Sequence, residues 1–261
     1  MTKMYYTAMH YGLLVWPAAL SCDRSGGSIP LVESIFDARN VAFVVLVACA
    51  LSLAVSGLWR KNTLTLVALS TSIVPFIPAS GLLVNVGFTV AERVLYIPSI
   101  GICFVGAHLF TWMHRKGKRL GACVSAAALL FCASAMTFKT WSQNKVWDDE
   151  QSLYRAALEA YPNNAKAHFN YGTSLDAVAE YENVRYHYEE AIRLHPLYTA
   201  PYNNLGVLLA NRNDLAGAID VWGRGLEVQK QNPIVTKDAG MLQRNIAKAE
   251  ASLKDRESEP A

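Results

Sequence analysis

The feature that most constrains this chain is the stretch 40–138, which contains one acidic side chain, Glu92, and otherwise consists of long apolar runs. A hydrocarbon core of ~30 Å is crossed by about 20 apolar residues in a helix. Backbone polar groups find no water there, so such runs are expected to be helical. The pattern predicts four membrane-spanning helices, at about 41–59, 62–79, 94–113 and 120–138.

The uncharged stretch 62–91 is longer than one span requires. Prolines and glycines interrupt its second half, at Pro75, Pro78, Gly81 and Gly87. We expect the helix to give way there to a non-helical or re-entrant loop that is buried in protein or wet, because lipid does not tolerate exposed irregular backbone.

The first 38 residues form a separate segment, whose apolar part from Tyr5 to Leu20 holds His10 and Pro17. This part is compatible with a span, a half-span or an interfacial helix. The predicted organisation is this segment with its following loop (1–38), a membrane domain (39–140) and a C-terminal domain (141–261).

Basic residues cluster in two short loops, 60–61 and 114–119, which lie on the same side of the bilayer if all four helices cross it. Short cytosolic loops of membrane proteins carry an excess of Lys and Arg. We therefore expect the two loops in the cytosol and the C-terminal domain on the opposite side, facing a lumen.

Residues 165–198 align with the residues from 199 onward at an offset of 34 positions, which is the period of tetratricopeptide repeats. Small residues stand where two helices of a hairpin touch, aromatic residues fill the gaps, and a proline ends the second helix. The residues predicted to pack in this way are Gly172, Tyr188, Ala191, Pro196, Gly206 and Trp222. The predicted fold class is all-α, with membrane helices followed by an α-solenoid.

The repeat pattern comprises a half-repeat (about 147–164) and two full repeats (165–198 and 199–232). An amphipathic helix at about 235–253 is expected to cap the stack. The tail from Lys254 to Ala261 is expected to be disordered.

Asn170 and Asn204 recur one repeat apart, at first-helix positions that line the concave groove of such a stack. Stacked amides can hydrogen-bond an extended peptide, which makes the groove a candidate site for client proteins. The alternative is that these amides are solvated or bond between hairpins.

Charge and motif content argue against several functional classes. The net charge of +3 lacks the strongly basic footprint of a nucleic-acid-binding protein. The six histidines show no metal-ligand spacing. We predict no metal, no cofactor and no nucleic-acid partner, and membrane lipid as the surroundings.

Two blocks of sequence resemble one known family. The first is Pro75-Phe-Ile-Pro78-Ala79-Ser80 with the later Ala91-Glu92-Arg93-Val94-Leu95-Tyr96-Ile97-Pro98-Ser99, and the second runs from Asn163 to Gly172 after Trp147 to Arg155. With Gly27-Ser28-Ile29-Pro30-Leu31 ahead of them, they look like the transmembrane and tetratricopeptide-repeat (TMTC) family, whose members are protein O-mannosyltransferases of the endoplasmic reticulum.

The resemblance implies a glycosyltransferase of the multi-spanning GT-C type in the endoplasmic-reticulum membrane, with its repeats in the lumen. It implies dolichyl-phosphate mannose as the donor, and serine or threonine hydroxyls of secretory-pathway proteins, cadherins among them, as acceptors. The family's catalytic acidic residues lie upstream of the matching region, and Arg24 stands where the family typically has a tryptophan. The chain is therefore expected to be a fragment or short isoform that is inactive alone.

Glu92 and Arg93 are the ionised side chains inside a long apolar stretch on the predicted luminal side. Ionisable residues at membrane depth are costly, so a functional role is the default hypothesis. Sugar transfer from a lipid phosphate needs a carboxylate near the hydroxyl and positive charge at the leaving phosphate. Arg93 is the candidate for the phosphate, and Glu92 for positioning Arg93 or a substrate hydroxyl. The alternative is a structural pair that ties the loop to neighbouring helices.

A rival interpretation is a non-catalytic, membrane-anchored adaptor that binds client proteins in the lumen through its repeats. The membrane helices would then serve as an anchor. An upstream membrane segment with paired acidic residues favours the enzyme, whereas a genuine start at Met1 favours the adaptor.

Overall fold

This computed structural model describes residues 2–18, 20–25, 28–83, 89–175, 177–231 and 239–258. The secondary-structure elements of these residues are helices joined by turns and loops, and none of them is a β-strand. The chain divides into a membrane unit, Met1–Arg24 with Ile29–Asp148, and a repeat unit, Ser25–Ser28 with Asp149–Ala261. The predicted class, membrane helices followed by a tetratricopeptide solenoid, is confirmed.

Three helices of the membrane unit are long and apolar enough to cross a bilayer within the described part of the chain. They are α2 (Val41–Trp59), α4 (Tyr96–Lys116) and α5 (Lys118–Asn144). Large apolar side chains of α2, such as Val44 and Leu51, are more than half exposed. Such an outward apolar surface is suited to lipid.

The structure replaces the second predicted span, 62–79, by a shorter helix α3 (Thr63–Ile73) and two 3₁₀ turns, Val74–Phe76 and Pro78–Ser80. Proline lacks the amide hydrogen that an α-helix needs, and Pro75 and Pro78 therefore end the α-helix early. Gly81 then takes the left-handed conformation, with φ 69°. The predicted re-entrant loop falls largely on residues 84–88, outside the described residues.

The segment before α2 begins with helix α1 (Thr2–Val15), which has 14 residues. At 1.5 Å per residue it is roughly 21 Å long, shorter than a hydrocarbon core. Its inner face buries Thr7 and His10.

Helices α3 and α4 pack closely because Gly101 has no side chain. A Cβ atom at Gly101 would fall on the backbone of Ala68 and on Ser72, which is the small-residue contact typical of membrane helices. The hydroxyl of Ser72 donates to the carbonyl of Pro98 at 2.9 Å. The end of α3 therefore meets the start of α4, and the basic turn that precedes α3 lies at the same end as the C-terminus of α4.

The repeat unit is a series of antiparallel helices. They are α6 (Glu150–Ala160), α7 (Ala165–Ser174), α8 (Tyr181–Leu194), α9 (Thr199–Asn211), α10 (Leu215–Gln231) and α11 (Ala239–Ser258). Helices α7 with α8 and α9 with α10 form the two predicted full repeats. Asn164 starts α7, since its side chain accepts from the amide of Ala167 at 3.1 Å, as N-cap residues do.

The signature residues lie inside these hairpins. Tyr188 packs on Gly172, and Trp222 packs on Gly206 so closely that a Cβ there would overlap the indole ring. The indole of Trp222 is 3% exposed and donates to the carbonyl of Asn203 at 3.0 Å. Ala191 is fully buried. Pro196 is not buried like the other signature residues, because its ring is exposed. Its carbonyl accepts from the hydroxyl of Tyr202 at 3.1 Å.

Helix α11 covers the last hairpin by burying Leu242 and Ala249 against α10. It begins at Ala239, while residues 235–238 of the predicted helix lie outside the described part. Lys254 to Ser258, predicted to be disordered, are helical. The reason is local, because these residues follow a run rich in Ala, Lys and Glu, which are good helix formers.

A histidine pair is buried inside the first full repeat. His168 and His187 approach through their Nδ1 atoms at 2.9 Å. The Nε2 of His168 lies 2.9 Å from the carbonyl of Pro162, and a carbonyl can only accept. With both rings neutral, His168 therefore carries its proton on Nε2, and His187 donates from Nδ1 to His168. Two imidazolium rings would place two N–H groups against each other.

We expect acid to destabilise the repeat unit through this pair. Burial, and then the neighbouring His168, lower the pKa of His187 to about 4. Since the unfolded chain binds the proton more readily, this stabilisation is complete above the unfolded pKa and declines as pH falls toward the folded value. A loss of about 1 kcal/mol between pH 7.5 and pH 5 is expected after allowance for partial screening.

Thermal unfolding of the full chain at both pH values, with hydrogen exchange reporting α7 and α8, measures this loss. His187→Asn should flatten the dependence on pH. An equally steep dependence in that variant would assign it to other groups.

Candidate functional site

The lone acidic residue of the apolar stretch lies at the start of α4. Glu92 opens a 3₁₀ turn, Glu92–Leu95, that runs directly into α4. The basic end of α4, at Arg115, is 23 residues further along the chain, or roughly 35 Å at the rise of an α-helix. The candidate site and the basic loops therefore occupy opposite ends of the membrane helices.

The carboxylate of Glu92 forms an ion pair with Arg24, with Nη2 of the arginine 2.5 Å from Oε1. The same oxygen accepts from the amide of Ser21 at 3.2 Å. Arg24 is 1% exposed, whereas the side chain of Glu92 is 31% exposed. The hydroxyl of Thr89 donates to the carbonyl of Arg24 at 2.7 Å. A charge buried this deeply is stable only with a partner.

This geometry gives Glu92 a structural role. Its Oε1 is engaged by Arg24 and by a backbone amide, so this carboxylate holds the loop before α2 against the turn before α4. The sequence predicts that Glu92 positions Arg93 or a substrate hydroxyl, and that role stays a prediction. The alternative, in which Glu92 and Arg93 tie the loop to neighbouring helices, did not include Arg24, which is the partner in the structure.

Arg93 follows Glu92 in the same turn, and its side chain is exposed. Fixing Glu92 also fixes the backbone that carries Arg93. The arrangement can therefore hold a guanidinium at the start of α4 for an anionic group, with Glu92 and Arg24 as its support.

His10 on α1 is the second support of this turn, and it was not among the predicted site residues. Its Nε2 accepts from the amide of Ala91 at 3.2 Å, and its Nδ1 lies 2.7 Å from the carbonyl of Tyr6. The proton is therefore on Nδ1. The ring is 1% exposed and packs edge-on against Phe76 at 5.1 Å between centroids.

Replacing His10 by leucine should release the turn that carries Glu92 and Arg93. The partly buried amide of Ala91 then loses its acceptor, which costs about 1 kcal/mol. We expect faster hydrogen exchange at Ala91 and a lower unfolding temperature of the membrane unit in micelles. His10→Gln retains an acceptor and is the matched control. Equal behaviour of the two variants would argue that only ring packing matters.

An apolar cavity of about 530 Å³ adjoins these elements. Its walls come from α1, α2, α3 and α4, and it extends from Tyr11 and Phe76 to Leu46 and Leu53 of α2. The hydroxyl of Tyr11 donates to the carbonyl of Ser72 at 2.9 Å and closes one side. A cavity of this size and polarity fits hydrocarbon.

Asn204, one of the two predicted groove residues, bonds with the side-chain amide of its neighbour Asn203. Asn203 donates to Oδ1 of Asn204 at 3.2 Å and accepts from Nδ2 of Asn245 on α11 at 3.1 Å. Asn170, the other predicted groove residue, is half-buried. Asn204 is thus part of a local amide network that reaches α11 through Asn203. Binding of an extended peptide in this groove stays a prediction.

Among the described residues, no cluster of His, Cys, Asp and Glu has the arrangement of a metal site.

Comparison with known proteins gives a consistent result. The family model described as "Protein O-mannosyl-transferase TMTC, DUF1736" matches residues 1–51. Human protein O-mannosyl-transferase TMTC1 is 40% identical over 80% of this chain and 24% of its own length. Human TMTC3 is 35% identical over 82% of this chain and 23% of its own length. The identity to human TMTC4 is 37%, over 66% of this chain and 23% of that protein.

Among solved structures, a TPR2B domain:pHsp70 complex of yeast Sti1 aligns with 44% of this chain and 90% of that chain, with a TM-score of 0.38 and 14% identity. The chain spans about a quarter of the length of the curated relatives that it matches. Matches to several curated relatives extend over most of its own sequence, across membrane helices and repeats alike. The chain belongs to the TMTC family, whose curated members are named protein O-mannosyl-transferases.

Proposed function

We propose that this chain forms the donor-binding and acceptor-holding part of a protein O-mannosyltransferase of the endoplasmic reticulum. The donor is dolichyl-phosphate mannose, and the acceptors are serine or threonine hydroxyls of secretory-pathway proteins such as cadherins. Membership of the TMTC family carries the proposal.

The turn that precedes α4 supplies the polar half of the donor site. Arg93 contacts the phosphate of the donor, since an arginine offers a planar fork of donors that matches phosphate oxygens. The Arg24–Glu92 pair and His10 keep the turn in place, so that the guanidinium is oriented before the donor binds. The apolar cavity beside α1 and α2 accommodates the first part of the polyisoprenoid chain.

The repeats lie in the lumen and hold the acceptor protein in this proposal. The charge distribution supports the orientation, because Arg60, Lys61 and Arg115 cluster at the end of the membrane helices opposite Glu92. In sealed microsomes, the region beyond Lys139 should resist protease added from outside. Digestion there would overturn the luminal assignment.

Donor binding tests the proposal directly. The full chain in nanodiscs should bind dolichyl-phosphate mannose, as measured by native mass spectrometry, and Arg93→Ala should weaken binding about tenfold, as expected for a charge-assisted phosphate contact. Arg39→Ala is the matched control, because Arg39 pairs with Asp37 ahead of α2. Equal binding by all three proteins would contradict the role of Arg93.

The adaptor function remains the second candidate, and one observation favours it: the only acidic side chain of the apolar stretch is engaged by Arg24. In that case the repeats bind clients while the membrane unit binds no donor. A chain that captures secretory-pathway proteins but shows no affinity for dolichyl-phosphate mannose would favour the adaptor.

A further inference from the structure

A polar stripe runs along one face of α4, starting at the end that carries the basic loops. His108, Thr111 and Arg115 are spaced by three and four residues, so they share one helix face. All three side chains are exposed. Together with Leu64 of α3, Phe104 and Trp112, they line a cavity of about 420 Å³.

The charge around this cavity is of one sign. Arg115 forms no ion pair with any described residue. Arg60 and Lys61 lie in the turn that leads to Leu64, and the sequence places Lys116, Lys118 and Arg119 just beyond Arg115. The nearest acidic residues along the chain, Glu92 and Asp148, are at the other ends of α4 and α5. An anion is therefore the complementary ligand.

The stripe also has a depth profile. At 1.5 Å per residue, His108 lies roughly 10 Å below Arg115 toward the bilayer interior, and Phe104 roughly 16 Å below it. Trp112 stands at the level where membrane proteins favour tryptophan, near the head groups. From the membrane surface inward, the cavity thus presents a cation, a polar side chain and an apolar wall. This is the order of the phosphate, the esters and the acyl chains in a phospholipid.

We propose that this cavity binds one anionic glycerophospholipid. Arg115 binds the phosphate through its guanidinium, and an imidazole N–H of His108 donates to an ester carbonyl. Phe104 and Leu64 contact the acyl chains. The apolar wall selects a lipid over a soluble phosphate compound, and the surplus of cations selects an anionic lipid over a zwitterionic one. This cavity lies at the end of α4 opposite Glu92, so the site is separate from the proposed donor site.

The test uses the full chain in detergent, with native mass spectrometry of bound lipid. Phosphatidylserine or phosphatidylinositol should remain bound at concentrations at which phosphatidylcholine is lost. Arg115→Gln should weaken the anionic lipid about fivefold, as expected for one cation near a membrane surface. His108→Leu leaves the charge of Arg115 in place. It should weaken binding of the anionic lipid measurably, but less than Arg115→Gln does. Lys145→Gln removes one charge at the far end of α5 and should leave binding unchanged.

Three results would overturn the proposal: equal retention of phosphatidylcholine, equal loss in the Lys145→Gln control, or full displacement by glycerol phosphate. Should Arg115→Gln fail to fold, as judged by circular dichroism, the preference for anionic lipid and the effect of His108→Leu still decide the matter.

Discussion

Glu92→Ala is expected to destabilise the membrane unit by about 3 kcal/mol, because it removes the carboxylate that pairs with a buried arginine. Arg24 is 1% exposed, and its Nη2 lies 2.5 Å from Glu92 Oε1. Breaking a buried pair costs more than the pair contributes, since the remaining charge is left in a medium of low dielectric. We place the cost at the lower end of the usual range because the side chain of Glu92 is 31% exposed. Thermal unfolding in micelles, followed by circular dichroism, measures it.

The double variant Arg24→Met with Glu92→Ala is the control for this interpretation. Removing both charges should restore part of the lost stability, so the double variant should unfold at a higher temperature than Glu92→Ala alone. Additive losses would contradict a direct pair. The proposed function adds donor binding as a second readout. Donor binding through Arg93 should weaken in Glu92→Ala. In the double variant it should recover less than the stability does, because the turn still lacks the support of the ion pair.

The long helices could be predicted from the sequence because a membrane-spanning helix needs only an apolar run of sufficient length. The length of an apolar run and the charges at its ends are local properties, and helix α2 occupies residues 41–59 as expected. The helix predicted at 62–79 is too long. Pro75 and Pro78 do not only end the span, since the α-helix stops ahead of them at Ile73. Hydropathy alone does not distinguish a short buried helix from a full span.

The partner of Glu92 was much harder to predict. Its sequence neighbour Arg93 was the obvious candidate, whereas the ion pair in the structure joins residues separated by 68 positions. A lone carboxylate in an apolar stretch is a signal, but nothing in the local sequence connects it to Arg24, which follows directly after Asp23. The hydrogen bond from the amide of Ala91 to His10 was equally hard to predict. Every residue except proline has a backbone amide, so the sequence does not show which amide needs a side-chain acceptor.

In the repeat unit, the largest effect is expected for Gly206→Ala, which should cost about 3 kcal/mol of stability, as overpacking of a tight core does. Gly206 faces the indole ring of Trp222, and a Cβ at this position would lie nearer to the ring than real Cβ contacts allow. The indole is 3% exposed and bonded to the carbonyl of Asn203, so it cannot yield without breaking that bond. Hydrogen exchange of α9 and α10 in the full chain measures the loss.

Gly223→Ala on α10 is the matched control, because a Cβ there meets nothing within 4 Å. An alanine in an open helical position should stabilise the unit by about 0.5–1 kcal/mol. Gly172→Ala should fall between the two, since its Cβ would lie 3.0 Å from the ring edge of Tyr188, where a tyrosine can move slightly. The order Gly223, Gly172, Gly206 therefore separates packing from helix propensity, which would favour alanine equally at all three positions. Equal gains would show that the hairpins do not approach as closely as these rings require.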